Sequence, residues 1–507
     1  MELNKHICTQ FMEKEKEFVQ LTLDDDYIVK DNKPDVIRII HSKGDVELED
    51  IKIGNQVVWL TGKLHFCALY QSDDENRLIE SVCGEIPFQE KLVMETREDC
   101  EDLTANIKIE DLSIGIINSR KLIVRAILNV EAKCMEEESK EICCGILGEG
   151  YEQKKEELNM LCLVENRRDV LQIQKEILLP NARSNVGELI FYQVDFYNED
   201  IQMMENRLMI QTNAKVWALY RSESTGEYEC FESVVPLSGE VALYGIEGDE
   251  LFWAKILPQN ILVEPRSDYD GENRMLGLEV QFDLEFQIYR EETCEILRDA
   301  YSLEEELKLE TEDAEYYQLL VKNISKVRLM EQQQIEQNQE KILQICGSSG
   351  DIIIDSVEKR ENGIQVEGVL NVHILYATTE DYLPYSHTEG QIPFVQMIEI
   401  PGYSEDTKLC MEYKIEQLQV NLLDSIEYEI KAVIEIGVLA LEEKHIRNVI
   451  QIEGESFDVE RLQRQPGMIG YVRNEGEDLW DVAKKYHAVP ANILEIGNRV
   501  LVVKQVY

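Results

Sequence analysis

The sequence predicts a mainly β protein, α+β overall, built as three tandem antiparallel β-rich domains followed by a small βααβ domain. A tyrosine-ended motif occurs three times: VVWLTGKLHFCALY up to Tyr70, RLMIQTNAKVWALY up to Tyr220 and GIQVEGVLNVHILY up to Tyr376, 150 and 156 residues apart. Each tyrosine is followed by a polar stretch and then by Pro87, Pro236 or Pro393, at offsets of 17, 16 and 17. Residues 463–507 stand outside this pattern. A period near 150 residues is far longer than the roughly 20–50 residues of a solenoid repeat, so a whole domain has been copied. Typical domain sizes divide 507 residues into three or four domains. The predicted division is 1–160, 161–316 and 317–462 for the repeats and 463–507 for the tail.

Each repeat opens on a common register. Arg38, Glu188 and Gln344 stand 32 residues before their tyrosines, each followed by an apolar pair or near-pair. Gly44–Asp45 and Gly350–Asp351 then predict a turn, as does the run Gly347–Gly350. Asp24–Asp26 reads as a solvated turn rather than a calcium loop, because the ladder of oxygens and the turn glycine are missing.

The tyrosine motif alternates. Val366, Gly368, Leu370, Val372 and Ile374 take one face, while Glu367, Asn371 and His373 take the other, the period of a half-buried strand. Its tyrosine is expected in the core with the hydroxyl bonded at the sheet rim. Trp59 and Trp217 are expected in the core too. Later in each repeat comes a second strand, clearest from Leu276 to Ile288, with counterparts at 122–130 and 430–438. Between repeats, the segment 302–323 reads as a domain edge with some helix.

With 100 acidic against 51 basic residues, the net charge is −49. Nucleic-acid phosphates and anionic lipid repel such a chain, so neither nucleic-acid binding nor direct membrane insertion is expected. The N-terminus lacks a basic region followed by an apolar one, and no run approaches 18 apolar residues. The twelve cysteines form no C-x-x-C pair. Cys67 and Cys162 read as small buried hydrophobes of a reducing compartment. A cytoplasmic chain is the expectation. No catalytic motif, phosphate loop or dinucleotide fingerprint occurs. The seven histidines form no i, i+4 pair, so any metal site would have to be assembled from distant segments. Neither an enzyme nor a cofactor or metal is expected. His65 reads as a satisfied sheet histidine.

The tail changes character. Residues 468–507 balance five basic against five acidic side chains. Gln465-Pro466-Gly467 reads as a hinge, Gly470–Val472 as a strand and Asn474-Glu475-Gly476 as a turn. Asp478 suits the N-cap of a helix from Leu479 to Tyr486, with Leu479, Val482, Ala483 and Tyr486 on one stripe. Pro490 predicts a second helix up to Gly497–Asn498, and Val500–Val503 a closing strand.

The segment YVRNEGEDLWDVAKKYHAVPANILEIGN resembles the LysM domain, matching its pattern at Gly476, Leu479, Trp480, Ala483, Lys485, Tyr486, Leu494 and Asn498. The usual loop before the last strand is reduced to Asn498–Arg499, and Glu477 replaces the usual Asp. Residues 25–40 and the tyrosine strands with their trailing prolines resemble the SPOCS domain of spore-coat proteins. Three such domains and a C-terminal LysM form the layout of SipL-like coat morphogenetic proteins. This resemblance implies a non-enzymatic adaptor in the mother-cell cytosol at the forespore surface. Its LysM would bind stage IV sporulation protein A, the coat basement-layer ATPase, and its repeats would join other coat proteins. The implied partner-binding residues are Asn474, Gly476, Glu477, Asp478, Leu479, Trp480, Asn498 and Arg499, with Trp480 commonly core in the family. The alternative is a wall protein binding peptidoglycan through LysM. The altered groove speaks against glycan binding.

Overall fold

Alternation of side chains governs nearly the whole chain. The computed structural model describes residues 2–54, 57–94, 102–457, 466–474 and 476–503. The expected boundary at 462/463, Gln465 of the hinge and Glu475 of the turn lie outside the described residues.

The first unit consists of β1 (Glu2–Ile28), β2 (Val36–Gly54), β3 (Val57–Ser72), β4 (Ile79–Val93), β5 (Asp102–Asn118) and β6 (Lys121–Leu147). The second repeats the series as β7 (Tyr151–Leu178), β8 (Val186–Met204), β9 (Arg207–Ser222), β10 (Tyr228–Ala242), β11 (Leu251–Arg266) and β12 (Met275–Ser302). The third follows as β13 (Glu305–Gln334), β14 (Ile342–Arg360), β15 (Gly363–Thr378), β16 (Tyr385–Glu399), β17 (Thr407–Leu422) and β18 (Glu427–Ser456). In every unit, strands two, three and four form one antiparallel sheet with the tyrosine strand at its centre. Strands one, six and five form a second sheet, with six at its centre. The two sheets face each other over an apolar core, which in the second unit holds Ile210, Val216, Tyr220, Leu278, Phe282 and Phe286. Full burial of each such side chain is worth about 1.5–3 kcal/mol.

The three tyrosines do the same work. Each is fully buried, and each hydroxyl donates back to the turn that enters the unit: Tyr70 to Pro34 O at 3.1 Å, Tyr220 to Ser184 O at 3.4 Å and Tyr376 to Glu340 O at 3.1 Å. Tyr220 shares its single proton between Ser184 O and Glu229 Oε2, the latter nearer at 3.0 Å. The glycine of the motif has a size partner. A Cβ on Gly62 or Gly368 would press on a carbonyl oxygen across the strand pair and on the ring of Phe88 or Phe394. The second unit has Thr212 and Leu237 at these places, so its divergence is a compensated exchange of volume.

The units close into a ring. Strand β4 packs beside β8, β10 beside β14, and β16 beside β2, so the third unit meets the first. On the axis lies a shared core of Ile40, Leu69, Phe191, Trp217, Leu219, Leu375 and Tyr385. At the far end, the long outer halves of the β1–β6, β7–β12 and β13–β18 hairpins pack into one bundle around Cys8, Ile142, Leu158, Ile296, Tyr316 and Ile446. Strands β7 and β13 run unbroken through residues 160/161 and 316/317.

Several local expectations change. Gly44–Asp45, Gly350–Asp351 and Gly347–Gly350 lie inside β2 and β14, because their polar side chains face a cavity rather than bulk solvent. Asp24–Asp26 belongs to β1, where Asp24 and Asp26 pair with Arg125 and Lys121 on β6. Residues 305–323 are strand, since their partner β18 supplies a full ladder. Trp217 is buried but Trp59 is 40 % exposed, on the outer face of β3. Cys67 is bonded to Cys83 across the β3–β4 pair, and Cys162 to Cys8. Sequence spacing concealed the second pair because packing of β1 against β7, not chain proximity, brings Cys8 and Cys162 together.

The tail holds β19 (Met468–Val472), α1 (Leu479–Tyr486), a 3₁₀ turn at Pro490–Asn492, β20 (Ile493–Ile496) and β21 (Arg499–Val503). The expected second helix is absent here. Only one 3₁₀ turn follows Pro490, and Ile493–Ile496 instead pairs with β21 to give a three-stranded sheet ordered β19-β21-β20. The shortened connection explains this, because β20 and β21 are joined by only Gly497–Asn498, with Gly497 at φ +65°, and a two-residue joint of this kind favours a hairpin. Among the described residues no helix is long and apolar enough to cross a membrane.

Candidate functional site

Helix α1 is set by its cap. The Asp478 side chain accepts from Asp481 N at 2.8 Å while the Asp481 side chain accepts from Asp478 N at 2.9 Å, a complete capping box. Its buried stripe, Val482 and Ala483, packs with Ile493, Val500 and Val502, and Tyr301 of the second unit enters the same core. The tail is therefore docked. Tyr301 donates to Ala488 O at 2.7 Å, and Asp299 accepts from Trp480 Nε1 at 2.8 Å and from Lys484 Nζ at 2.5 Å. Lys154 pairs with Asp478 at 2.8 Å.

Of the eight residues expected to bind a partner, seven fall into two groups and Glu477 stands between them. Asp478, Leu479 and Trp480 are held between the small domain and the second unit. Asn474, Gly476, Asn498 and Arg499 remain exposed. Gly476 has φ +88°, a conformation side chains resist. Glu477 braces the turn: its Oε2 accepts from Asn474 N at 3.0 Å and from Tyr471 OH at 2.8 Å. These bonds, led by that from Asn474, hold its carboxyl below the usual range.

Beyond the loop residues lies a surface the sequence did not announce. Register places Val472, Arg499 and Ile496 in one row across the outer face of the small sheet, with Gly470, Leu501 and Leu494 in the next. Met468, Val472, Leu494 and Ile496 are 61, 56, 60 and 80 % exposed. The inner face is used up by α1 and Tyr301.

A second feature, missed entirely, is a cavity of about 1380 Å³ between the units. Each unit contributes the same aspartate of its second strand: Asp45, Asp195 and Asp351. Burial pushes the Asp195 carboxyl up to about 7, against the opposing pull of Gln193 and Lys215. Burial, with Glu199 nearby, likewise raises Glu412 to about 7. Lys43 donates to Tyr192 O at 2.5 Å, and burial lowers its pKa. His65, read as a satisfied sheet histidine, lies 2.9 Å from Glu47. On the same wall stand His41, His373 and His387. The period-two placement of these residues could have put them on inward faces, but only ring closure brings the faces together.

Residues 35–117 and 341–423 match the family model described as SipL, SPOCS domain. The matches cover β2–β5 of the first unit and β14–β17 of the third. They tie the chain to a domain of sporulation coat proteins. No curated protein and no solved structure matches the chain.

Proposed function

We propose that the chain is a non-enzymatic scaffold of endospore coat assembly. In this reading β8–β11 form a third SPOCS domain, since they repeat the strand order of the two matched segments. The C-terminal domain is a modified LysM that binds stage IV sporulation protein A. The protein then works in the mother-cell cytosol, peripheral to the forespore surface, and the ring offers surfaces to other coat proteins.

The observation that carries this reading is the outer face of the small sheet. It presents four exposed apolar side chains around Arg499 while its other side is fixed to the ring. Clustered apolar exposure of this kind marks protein–protein contact. A glycan groove would call for polar groups at that place, and the shortened Asn498–Arg499 joint removes half of the usual one.

Co-precipitation of the full chain with stage IV sporulation protein A tests the reading. Leu494→Asp with Ile496→Asp should abolish capture, while Lys154→Ala, on the docked side, should leave it intact. Undiminished capture by the double variant would remove this face as the contact. Strong retention on purified peptidoglycan, lost in the same variant, would favour the wall-binding alternative.

A further inference from the structure

Three of the seven histidines, remote in sequence, meet at the seam where the ring closes. His373 on β15 faces Glu389 directly across the strand pair, and His387 lies two residues before Glu389, on the same face of β16. His41 comes from β2 of the first unit, which packs beside β16. The ring centres of His41 and His387 are 4.5 Å apart, those of His373 and His387 5.7 Å, and those of His41 and His373 6.3 Å. Two imidazoles on one tetrahedral zinc, with Zn–N of about 2.0–2.1 Å, have ring centres roughly 5 Å apart.

We propose that His41, His373, His387 and Glu389 bind one divalent transition-metal ion of the zinc class, which clasps the first unit to the third.

Three of the four donors are already gathered, and His41, which stands outside that group with its ring centre 4.5 Å from that of His387, completes the set by turning its ring inward. One nitrogen of His373, one of His387 and one carboxylate oxygen of Glu389 lie within 4.8 Å of one another. His373 Nδ1 is 3.4 Å from Glu389 Oε1, close to the roughly 3.3 Å edge of a tetrahedron of ligands around zinc. On the other side of the ring, His373 Nε2 is 3.5 Å from Asp351. That is the carboxylate that orients a ligating imidazole from outside the coordination shell. His387 Nε2 is buried and has no hydrogen-bond partner among the described residues, a costly state for a ring nitrogen that a metal ion would relieve. The large cavity borders all four residues and gives an ion its way in.

The arrangement is not a general feature of the repeat. The cross-strand pair His373–Glu389 has Cys67–Cys83 and Trp217–Glu232 as its counterparts. Two other groups of potential ligands are weaker candidates: Cys162, beside His6 and Glu292, is bonded to Cys8, and the Glu315, Glu443 and His445 group is one imidazole on the surface.

The test is zinc and cobalt(II) titration of the full chain without a histidine tag, against a chromophoric chelator. One equivalent of zinc should bind tightly, and cobalt(II) should give the intense visible absorption of a tetrahedral site. His41→Asn with His387→Gln should remove that equivalent and its spectrum, while His445→Gln should keep both. Should the double variant fail to fold by circular dichroism, Asp351→Asn decides, because it leaves every ligand in place. It should weaken zinc binding on the order of 10–100-fold. No bound equivalent in the parent chain, or unchanged affinity in the folded double variant or in Asp351→Asn, overturns the proposal.

Discussion

Tyr301 and Trp480 meet edge to face, their ring centres 5.0 Å apart, at the joint between the second unit and the small domain. Tyr301 is 2 % exposed, and the small domain supplies its cover. The tryptophan most characteristic of the LysM-like motif is thus committed to an internal contact.

Trp480→Ala should loosen that joint. An aromatic pair is worth about 0.5–1.5 kcal/mol and a hydrogen bond to a charged group about 1.5–3, so about 2–4 kcal/mol of docking free energy is at stake. Hydrogen exchange over residues 479–486 should accelerate accordingly, whereas Asn498→Ala should leave it unchanged. Deleting the tail is a poorer experiment, because it uncovers Tyr301 and Asp299.

The three motif tyrosines should not be equal. Tyr70→Phe and Tyr376→Phe each lose a bond to a carbonyl, at about 0.5–1.5 kcal/mol, while Tyr220→Phe loses one directed chiefly at the Glu229 carboxylate, at about 1.5–3. Denaturant unfolding of the three variants should rank Tyr220→Phe as the most destabilised.

Stability should fall as pH rises across the acidic range, in part because of Asp195. Its ordinary value is 3.8, and burial raises it to about 7 in the folded protein. Between those values the native state keeps a proton that the unfolded chain has released, so the unfolding free energy declines as pH rises and levels off above 7. Lys215, Lys43 and Asp351 face the same carboxyl. Asp195→Asn should flatten this part of the stability–pH curve, measured by chemical denaturation at fixed ionic strength.

Cys8 and Cys162 close a loop with a sequence separation of 154. Replacing both by alanine should destabilise the folded ring by about 3–5 kcal/mol on the chain-entropy account. A thiol count on the denatured, unreduced protein checks the bond itself. A full complement of titratable thiols would match the reducing compartment expected from the sequence.

What was legible in the sequence was whatever period two and local chemistry determine. The tyrosine strands, the strand at Leu276–Ile288 and the Asp478 cap are of this kind, because each depends on neighbours within a few residues. Hidden from it were features created when one unit meets another. Gly44 and Asp45 looked like a turn because the cavity they line, shared with Asp195 and Asp351, exists only once the units meet. His41, His373 and His387 looked unrelated because β2 and β16 are neighbours only in the closed ring. Trp480 could not be assigned between core and contact, since Asp299 and Tyr301, which claim it, lie some 180 residues earlier. The second helix failed for a nearer reason: Ile493–Ile496 has the apolar spacing of either element, and the short joint to β21 decided for a hairpin.

Because β16 lies against β2, the series of units has no beginning or end in space. An open array can be lengthened by one more copy stacked on its last face. This one cannot, since every such face is already taken by a sibling. Its size is therefore set at three, and growth into a larger lattice must proceed through appended parts such as the small C-terminal sheet rather than through further repeats.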